Sequence, residues 1–383
     1  MPAIGRAELE SLYGASHFEQ LGSEGLLSDL SPDAIDFGRL GGSIRLAAVL
    51  GTLPTTTWRD VQAEIAKRAV QLAEDIHEGK IQLGISVYDI HTNPRQLMAA
   101  GLEAKKALRA HHYSVRLTPN QDLALSSAQV LHNHLTGERG IELLAVSNGK
   151  EAIIARTVAV QDITAYAHRD QNRPKRDAFV GMLPPKLAQT IVNLATGPLT
   201  PNSSHVVLDP FCGTGVLLQE AALMGYGIYG SDLEPRMVDY SKQNLDWLAE
   251  RSEISSPTLE VGDATDVTWA SPFTTVACEM YLGRPLSSWP NPEKLQEIIG
   301  TCNLIIEKFL RNIVDQSGSN MRMALAVPAW RSPDGRVHHL PMLDHLEKMG
   351  YNRVSFEYAS DAELVYFRPD QIVARELLVI TRK

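Results

Sequence analysis

The residues best placed to do chemistry lie in Val206-Val-Leu-Asp209-Pro-Phe211-Cys-Gly213-Thr214-Gly215-Val-Leu-Leu218, an apolar run that ends in an acid and a glycine-rich turn. A helix-patterned segment follows. Strand, turn and helix in that order set backbone N–H groups at a helix N-terminus, where a doubly wound fold holds a nucleotide-like cofactor. The glycines let a ligand come close to the main chain. Leu218 stands where a dinucleotide fingerprint wants its third glycine, and no Gly-Lys-Ser/Thr follows to make a phosphate loop. An acid before a loop that need not hold phosphate suits S-adenosylmethionine (SAM), which carries an ammonium and a sulfonium and no phosphate.

The next apolar runs also end in acids. Asp232 lies 23 positions after Asp209, where a carboxylate takes both ribose hydroxyls, and Asp263 is placed to accept from an adenine amino group. Phe211, Thr214, Leu233 and Ala264 flank these positions and are expected to line the same cofactor. The fourth run ends Ala277-Cys278-Glu279-Met280-Tyr281, where the reacting group should lie. An exocyclic base amine is a poor nucleophile because its lone pair is delocalised into the ring. An acceptor that holds its N–H bonds frees that lone pair, and an aromatic ring stacks on a flipped base. Glu279 is the expected acceptor and Tyr281 the expected platform, against a bland reading as a cap and a core aromatic. Cys278 as a nucleophile on a pyrimidine carbon is disfavoured because Ala277, not proline, precedes it.

These residues sit in a chain of 383 residues, enough for two or three domains, whose 44% hydrophobic and 21% charged content is that of a globular protein. No apolar run approaches a membrane span and no signal segment opens the chain, so the expected place is the cytoplasm, with no membrane partner. Three cysteines, Cys212, Cys278 and Cys302, lack C-x-x-C spacing, and the paired histidines lack i,i+4 partners, so no disulfide framework and no metal are expected. The net charge of −9 disfavours nucleic acid at first sight. Its distribution is uneven: residues 1–180 hold 19 Lys+Arg against 21 Asp+Glu, and eight of the twelve histidines. Arg95, Lys105, Lys106, Arg109 and Arg116 form a local basic stretch that can hold phosphates on an acidic protein, because screening makes near charges count most.

Periodicity gives the positioning elements. Helices are expected at Arg6–Tyr13, Thr57–Glu78, Pro94–Ala110 and Ser126–Leu135, and strands at Ile81–Ile90 and Tyr113–Leu117. A hairpin is expected around Asn148-Gly149, between Glu142–Val146 and Ile153–Ala159. Residues 167–185 read as a charged, proline-bearing connector, with a domain boundary near residue 165 and a helix at Lys186–Ala195. From residue 206 an α/β rhythm runs through strands at Tyr226–Gly230, Thr258–Val261, Thr275–Cys278, Met323–Val327, Val354–Tyr358 and Ala374–Ile380. Helices are expected between them at Pro235–Glu250, Glu293–Val314 and Leu340–Gly350.

The chain resembles the THUMP-domain tRNA guanosine-N2 methyltransferases. The resemblance is carried by Asp209–Gly215, by Ser114-Val-Arg116-Leu with Ser126–Leu135, and above all by Arg169-Asp-Gln-Asn-Arg173-Pro-Lys175-Arg176-Asp177 with Gly181-Met-Leu-Pro-Pro-Lys-Leu-Ala188. It implies an α/β fold: a C-terminal Rossmann-like class I methyltransferase sheet over 206–383 and an N-terminal α+β RNA-binding region. The latter divides into a ferredoxin-like part at 1–60 and a THUMP-like part at 61–165, with a connector and helix at 166–205. It implies SAM as cofactor, held by Asp209, Gly213, Gly215, Asp232 and Asp263. It implies tRNA as partner, methylated at a guanine N2, with Lys105, Lys106, Arg109, Arg116, Arg173, Lys175 and Arg176 on phosphates. It leaves open a small activating subunit and the choice between monomer and homodimer. One departure stands out: the family's catalytic loop is Asp/Asn-Pro-Pro-Tyr/Phe, and this chain has neither proline. Either Cys278 falls at the acid position, or Glu279 replaces the acid in a shorter loop. Glu279 is preferred because a thiol accepts the amino hydrogen bond poorly. An adenine-N6 methyltransferase, or an RNA-binding protein with a degenerate methyltransferase domain, are the alternatives.

Overall fold

A computed structural model describes residues 2–177, 183–369 and 371–383. Helix α1 (Pro2–Tyr13) is followed by a two-stranded hairpin, β1 (Phe18–Leu21) and β2 (Gly25–Ser28). Strand β3 (Arg45–Leu53), helix α2 (Trp58–Ala73), β4 (Lys80–Tyr88), α3 (Pro94–Ala110), β5 (Ser114–Leu117), α4 (Ser127–His132), β6 (Gly140–Ser147) and β7 (Ala152–Val160) then form a module of their own. Its five-stranded sheet runs β3-β7-β6-β4-β5, with α2 and α3 packed on one face. Helix α3 starts where expected. Asn93 caps it by accepting from the Gln96 N–H at 3.0 Å, Pro94 needs no partner in the first turn, and Leu97, Ala100, Ala104 and Leu108 bury one stripe. The Asn148-Gly149 turn joins β6 to β7 as the dipeptide predicts.

Residues 1–60 are not one unit. Helix α1 buries Ile4 and Ala7 in the core of the C-terminal sheet, whereas β3 pairs with β7 in the five-stranded sheet. The buried Glu8 carboxylate fixes α1 by accepting from the Gly41 and Gly42 N–H groups at 2.9 and 2.7 Å and from Asn193 at 2.7 Å.

Helix α5 (Ile163–Gln171) occupies the first part of the expected connector, and α6 (Pro185–Thr196) follows it; residues 178–182 of the connector, Gly181 and Met182 among them, lie outside the described residues. Beyond them come β8 (Val206–Asp209), α7 (Val216–Leu223), β9 (Gly227–Asp232), α8 (Pro235–Ala249), β10 (Thr258–Val261), β11 (Thr275–Glu279) and α9 (Pro292–Val314). The chain ends with β12 (Arg322–Arg331), β13 (Val337–His338), β14 (Tyr351–Arg353), β15 (Val365–Tyr366) and β16 (Val373–Arg382). The sheet order is β10-β9-β8-β11-β12-β16-β14, with β16 antiparallel to both neighbours and β13 and β15 pairing on its rim. Alternate residues face alternate layers: Val207, Ala277 and Ala326 lie toward α1, α6, α7 and α8, while Leu208, Cys278 and Leu325 lie toward α9. Two expectations at the C-terminal end are corrected. The helix expected at Leu340–Gly350 is a 3₁₀ segment, Pro341–Met349, and the strand expected at Val354–Tyr358 lies earlier, at Tyr351–Arg353. Val354 N–H still donates to the Val379 carbonyl of β16 at 2.9 Å, but the Glu357 and Tyr358 N–H groups are taken by Glu10 of α1, at 2.9 and 3.2 Å, so the end of that stretch leaves the sheet for a helix side chain. Among the described residues no helix is long and apolar enough to cross a membrane.

Candidate cofactor and catalytic site

The strand order reverses between β8 and β11, and the crevice beyond their carboxyl ends is where open α/β sheets bind ligands. Asp209 ends β8 with 3% of its surface exposed. Its carboxylate accepts the Phe211 N–H at 3.2 Å, yet burial pushes its pKa well above the usual range, with Asp232 and Glu279 adding repulsion. A cation in the crevice would relieve this. The turn that follows is tightly built: Gly213 and Gly215 have φ of 50° and 78°, and Gly215 N–H donates to the Cys212 carbonyl at 2.7 Å. A Cβ at Gly215 would fall 2.9 Å from Ser241 Oγ, so only glycine lets α8 pack this close. Ser241 Oγ in turn donates to the Gly213 carbonyl at 2.8 Å.

Asp232 ends β9 and holds the turn from the other side. Its two oxygens accept from Gly213 N–H at 2.9 Å and Glu234 N–H at 3.0 Å, and burial raises its pKa. Each oxygen keeps lone-pair capacity for a further donor. Leu233 beside it is 61% exposed, whereas Ala264 is buried with its carbonyl accepting from Asn312 at 3.1 Å. Asp263 is half-buried and caps its own turn through Thr265 N–H at 2.9 Å. Phe211 stacks edge-on against Phe309, and the Thr214 carbonyl accepts from Asn244 at 2.8 Å. Of the expected cofactor set, Asp209, Phe211, Gly213, Thr214, Gly215 and Asp232 thus belong to one interlocked turn, with Leu233 next to it; Asp263 and Ala264 follow the next strand.

The Asn244 side chain was not singled out from sequence, although a buried Asn in an amphipathic helix is a signal for a required bond. It receives the Lys175 N–H at 2.9 Å and donates to the Lys175 carbonyl at 3.0 Å, pinning the connector to the glycine turn. Lys175 reaches over Tyr240, and Arg176 is exposed. Arg173 departs from expectation as a phosphate contact: it is 3% exposed and ion-paired with Asp170 at 3.4 Å. Arg169 locks α5 to α7 by a two-point pair with the buried Glu220, at 2.8 and 3.1 Å. The remaining expected RNA contacts lie on the N-terminal module. Lys106, Arg109 and Arg116 are exposed on α3 and β5 and Lys105 is half-buried, and none of them makes an ion pair among the described residues.

Glu279 is the last residue of β11, and the Met280 N–H continues the ladder to the Ala326 carbonyl at 3.0 Å. The Glu279 side chain turns to the α6 face, where Arg375 donates from Nε to its Oε1. Burial raises the Glu279 pKa and Arg375 opposes that rise. Cys278 points the other way into the α9 core with no exposed surface, and burial pushes its thiol well up. Tyr281 lies just past the strand, 38% exposed.

Comparison with known proteins agrees with this geometry. The sheet order, and the likeness of the whole chain to solved structures, define a Rossmann-like α/β fold. The crystal structure of TrmN from Thermus thermophilus matches with a TM-score of 0.53 at 17% identity, covering 100% of this chain and 97% of that one. A "possible methylase" from Clostridium difficile 630 matches with a TM-score of 0.51 at 12% identity, covering 98% and 95%. Residues 173–304 match the family described as UPF0020, RMKL-like, methyltransferase domain. Among curated proteins, the tRNA (guanine(10)-N2)-dimethyltransferase of Pyrococcus abyssi is 39% identical over 93 residues, 24% of this chain and 25% of that protein. Its namesake from Methanothermobacter thermautotrophicus is 40% identical over 95 residues, 24% of this chain and 26% of its own. The chain spans about a quarter of the length of these curated relatives.

Proposed function

We propose that this protein is a SAM-dependent RNA methyltransferase that methylates the exocyclic N2 of a guanosine in tRNA. The observation that carries the reading is the meeting, at one topological switch point, of a buried, cation-seeking acid beside a glycine turn with an acid that ends the neighbouring strand and an exposed aromatic just past it. The guanine-N2 target is drawn from the names of the curated relatives. The residues fit the cofactor: Asp209 and Asp232 face the crevice from two strand ends, and the turn between them leaves its backbone close to any ligand. SAM would supply an electrophilic methyl on its sulfonium. Glu279 accepts an N–H of the base amine and takes up its proton, which keeps the nitrogen lone pair available. Tyr281 stacks on the base and keeps water from its face. The five-stranded module is read as a THUMP-like RNA holder, with Lys105, Lys106, Arg109 and Arg116 on phosphates and with Lys175 and Arg176 closer to the site. Such a protein would work in the cytoplasm.

Transfer of tritiated methyl from SAM to total tRNA, with DNA and rRNA alongside and nucleoside analysis of the product, tests this. Label in N2-methylguanosine or its dimethyl form is the expected result. Label in N6-methyladenosine would replace the base. SAM binding without transfer to any acceptor would make the protein an RNA binder without turnover.

A further inference from the structure

Glu279 is held differently from every other acid in the crevice. Asp209, Asp232 and Asp263 each accept from the backbone N–H two residues further along their own turns. Among the described residues no backbone N–H of its own loop donates to Glu279. Its partner lies on another strand, 96 residues away in sequence. The register explains the reach. Glu279 of β11 sits opposite Ala326 of β12, and Ala326 sits opposite Leu377 of β16. Arg375, two residues before Leu377 on the antiparallel strand, shares that face and lies one step closer to the crevice, opposite Pro328. The pair therefore spans two strand spacings, roughly 10 Å. On that face the strand between presents Ala326 beside Glu279 and Pro328 beside Arg375, neither of them a long side chain.

We propose that Arg375 is the positioning residue of the site, crossing β12 to keep the Glu279 carboxylate charged and aimed at the base amine. This rests on the reading of Glu279 as the amine acceptor. The side chains of Arg375 and Glu279 are 5% and 16% exposed, so water contributes little to stabilising either charge. Burial alone favours the protonated acid, and that form accepts an N–H bond poorly. The other titratable groups on this site do not help: Asp209 from β8 repels Glu279, Asp232 from β9 acts on Asp209, and Cys278 on the same strand is a buried neutral thiol. Tyr366 of β15 stands in register with Arg375 and carries no charge that could replace it. Arg375 occupies Oε1, while among the described residues Oε2 accepts no hydrogen bond and is left for the substrate. The arginine thus takes over a task that backbone amides perform for the other acids.

The test is the pH–rate profile of methyl transfer to tRNA, together with a carbon-13 carboxyl NMR titration of Glu279, for the full-length protein and Arg375→Met. In the variant the acid limb of the profile and the Glu279 titration should both move up by about one pH unit or more, a tenfold change in proton affinity. The rate should partly recover at high pH, and the KM for SAM should stay within about twofold, the reverse of what loss of a binding contact does. Arg375→Lys, which keeps charge without the planar fork, should fall between the two. Should Arg375→Met fail to fold, Arg375→Gln keeps a donor without the charge and must show the same shift. An unchanged limb and titration would overturn the proposal, as would a rise confined to the KM for SAM, which would make Arg375 a cofactor contact. Full transfer by Glu279→Gln would instead overturn the underlying role of Glu279, and the NMR titration would still report whether Arg375 holds its charge.

Discussion

The two halves of the crevice are built on different principles. On the β8–β9 side, Asp209 and Asp232 each accept from the N–H two residues further on, and Asp232 also accepts from Gly213 N–H, joining two adjacent strand ends. On the β11–β16 side, an acid at a bare strand end is held by an arginine brought in by the antiparallel strand. The first arrangement buries carboxyls whose ionisation is disfavoured without a cation beside them, a state suited to receiving one. The second supplies its own counter-charge, a state suited to accepting hydrogen bonds from a neutral amine. On the proposed reading, binding and chemistry fall to separate halves.

That division can be broken by crossed mutations. Glu279→Gln should lower kcat on the order of 100-fold while leaving the SAM dissociation constant within about twofold. An equal loss in both would erase the distinction between the halves. Gly215→Ala should do the opposite, raising the SAM dissociation constant about tenfold or more, equivalent to about 1.4 kcal/mol, because its Cβ would press on Ser241 at a backbone φ of 78°. Calorimetric titration with SAM reads both. Reversing Lys106, Arg109 and Arg116 to Glu should weaken tRNA binding by about tenfold at low salt and flatten its salt dependence, with SAM binding untouched. An unchanged salt slope would remove the N-terminal module from the RNA path.

The smallest expected effect concerns stability. Burial raises the Asp209 pKa in the folded protein, so folding takes up a proton there. The stabilisation is complete below the unfolded value, about pH 4, and is lost as pH rises through the elevated folded value. Without ligand the protein should therefore melt at a lower temperature near pH 8 than near pH 5, and Asp209→Asn should reduce that fall by a few degrees while weakening SAM binding. A variant whose melting temperature keeps the full pH dependence would show that Glu8, Glu220 and Asp232, also raised by burial, account for it instead.

The sequence alone determined the β8–β9 half. The Asp209–Gly215 turn, Asp232 at the next strand end and the helix that follows are local patterns, because a turn's hydrogen bonds and φ values are set by residues a few positions apart. The same locality made the α3 cap, the Asn148-Gly149 hairpin and the alternating sheet faces legible. It failed where a residue's role depends on distant chain. The charge of Arg173 read as surface, but the fold buries it beside Asp170. Residues 1–60 read as one unit, but their apolar faces find partners in two different cores. Residues 354–358 alternate like a strand, but the Tyr358 N–H is taken by a helix carboxylate. That Cys278 turns into the α9 core while Glu279 turns to the opposite layer, and that Arg375 reaches Glu279, were decided by the tertiary structure alone. Both follow from strand order and register, which are fixed by the packing of whole faces rather than by any short stretch of sequence.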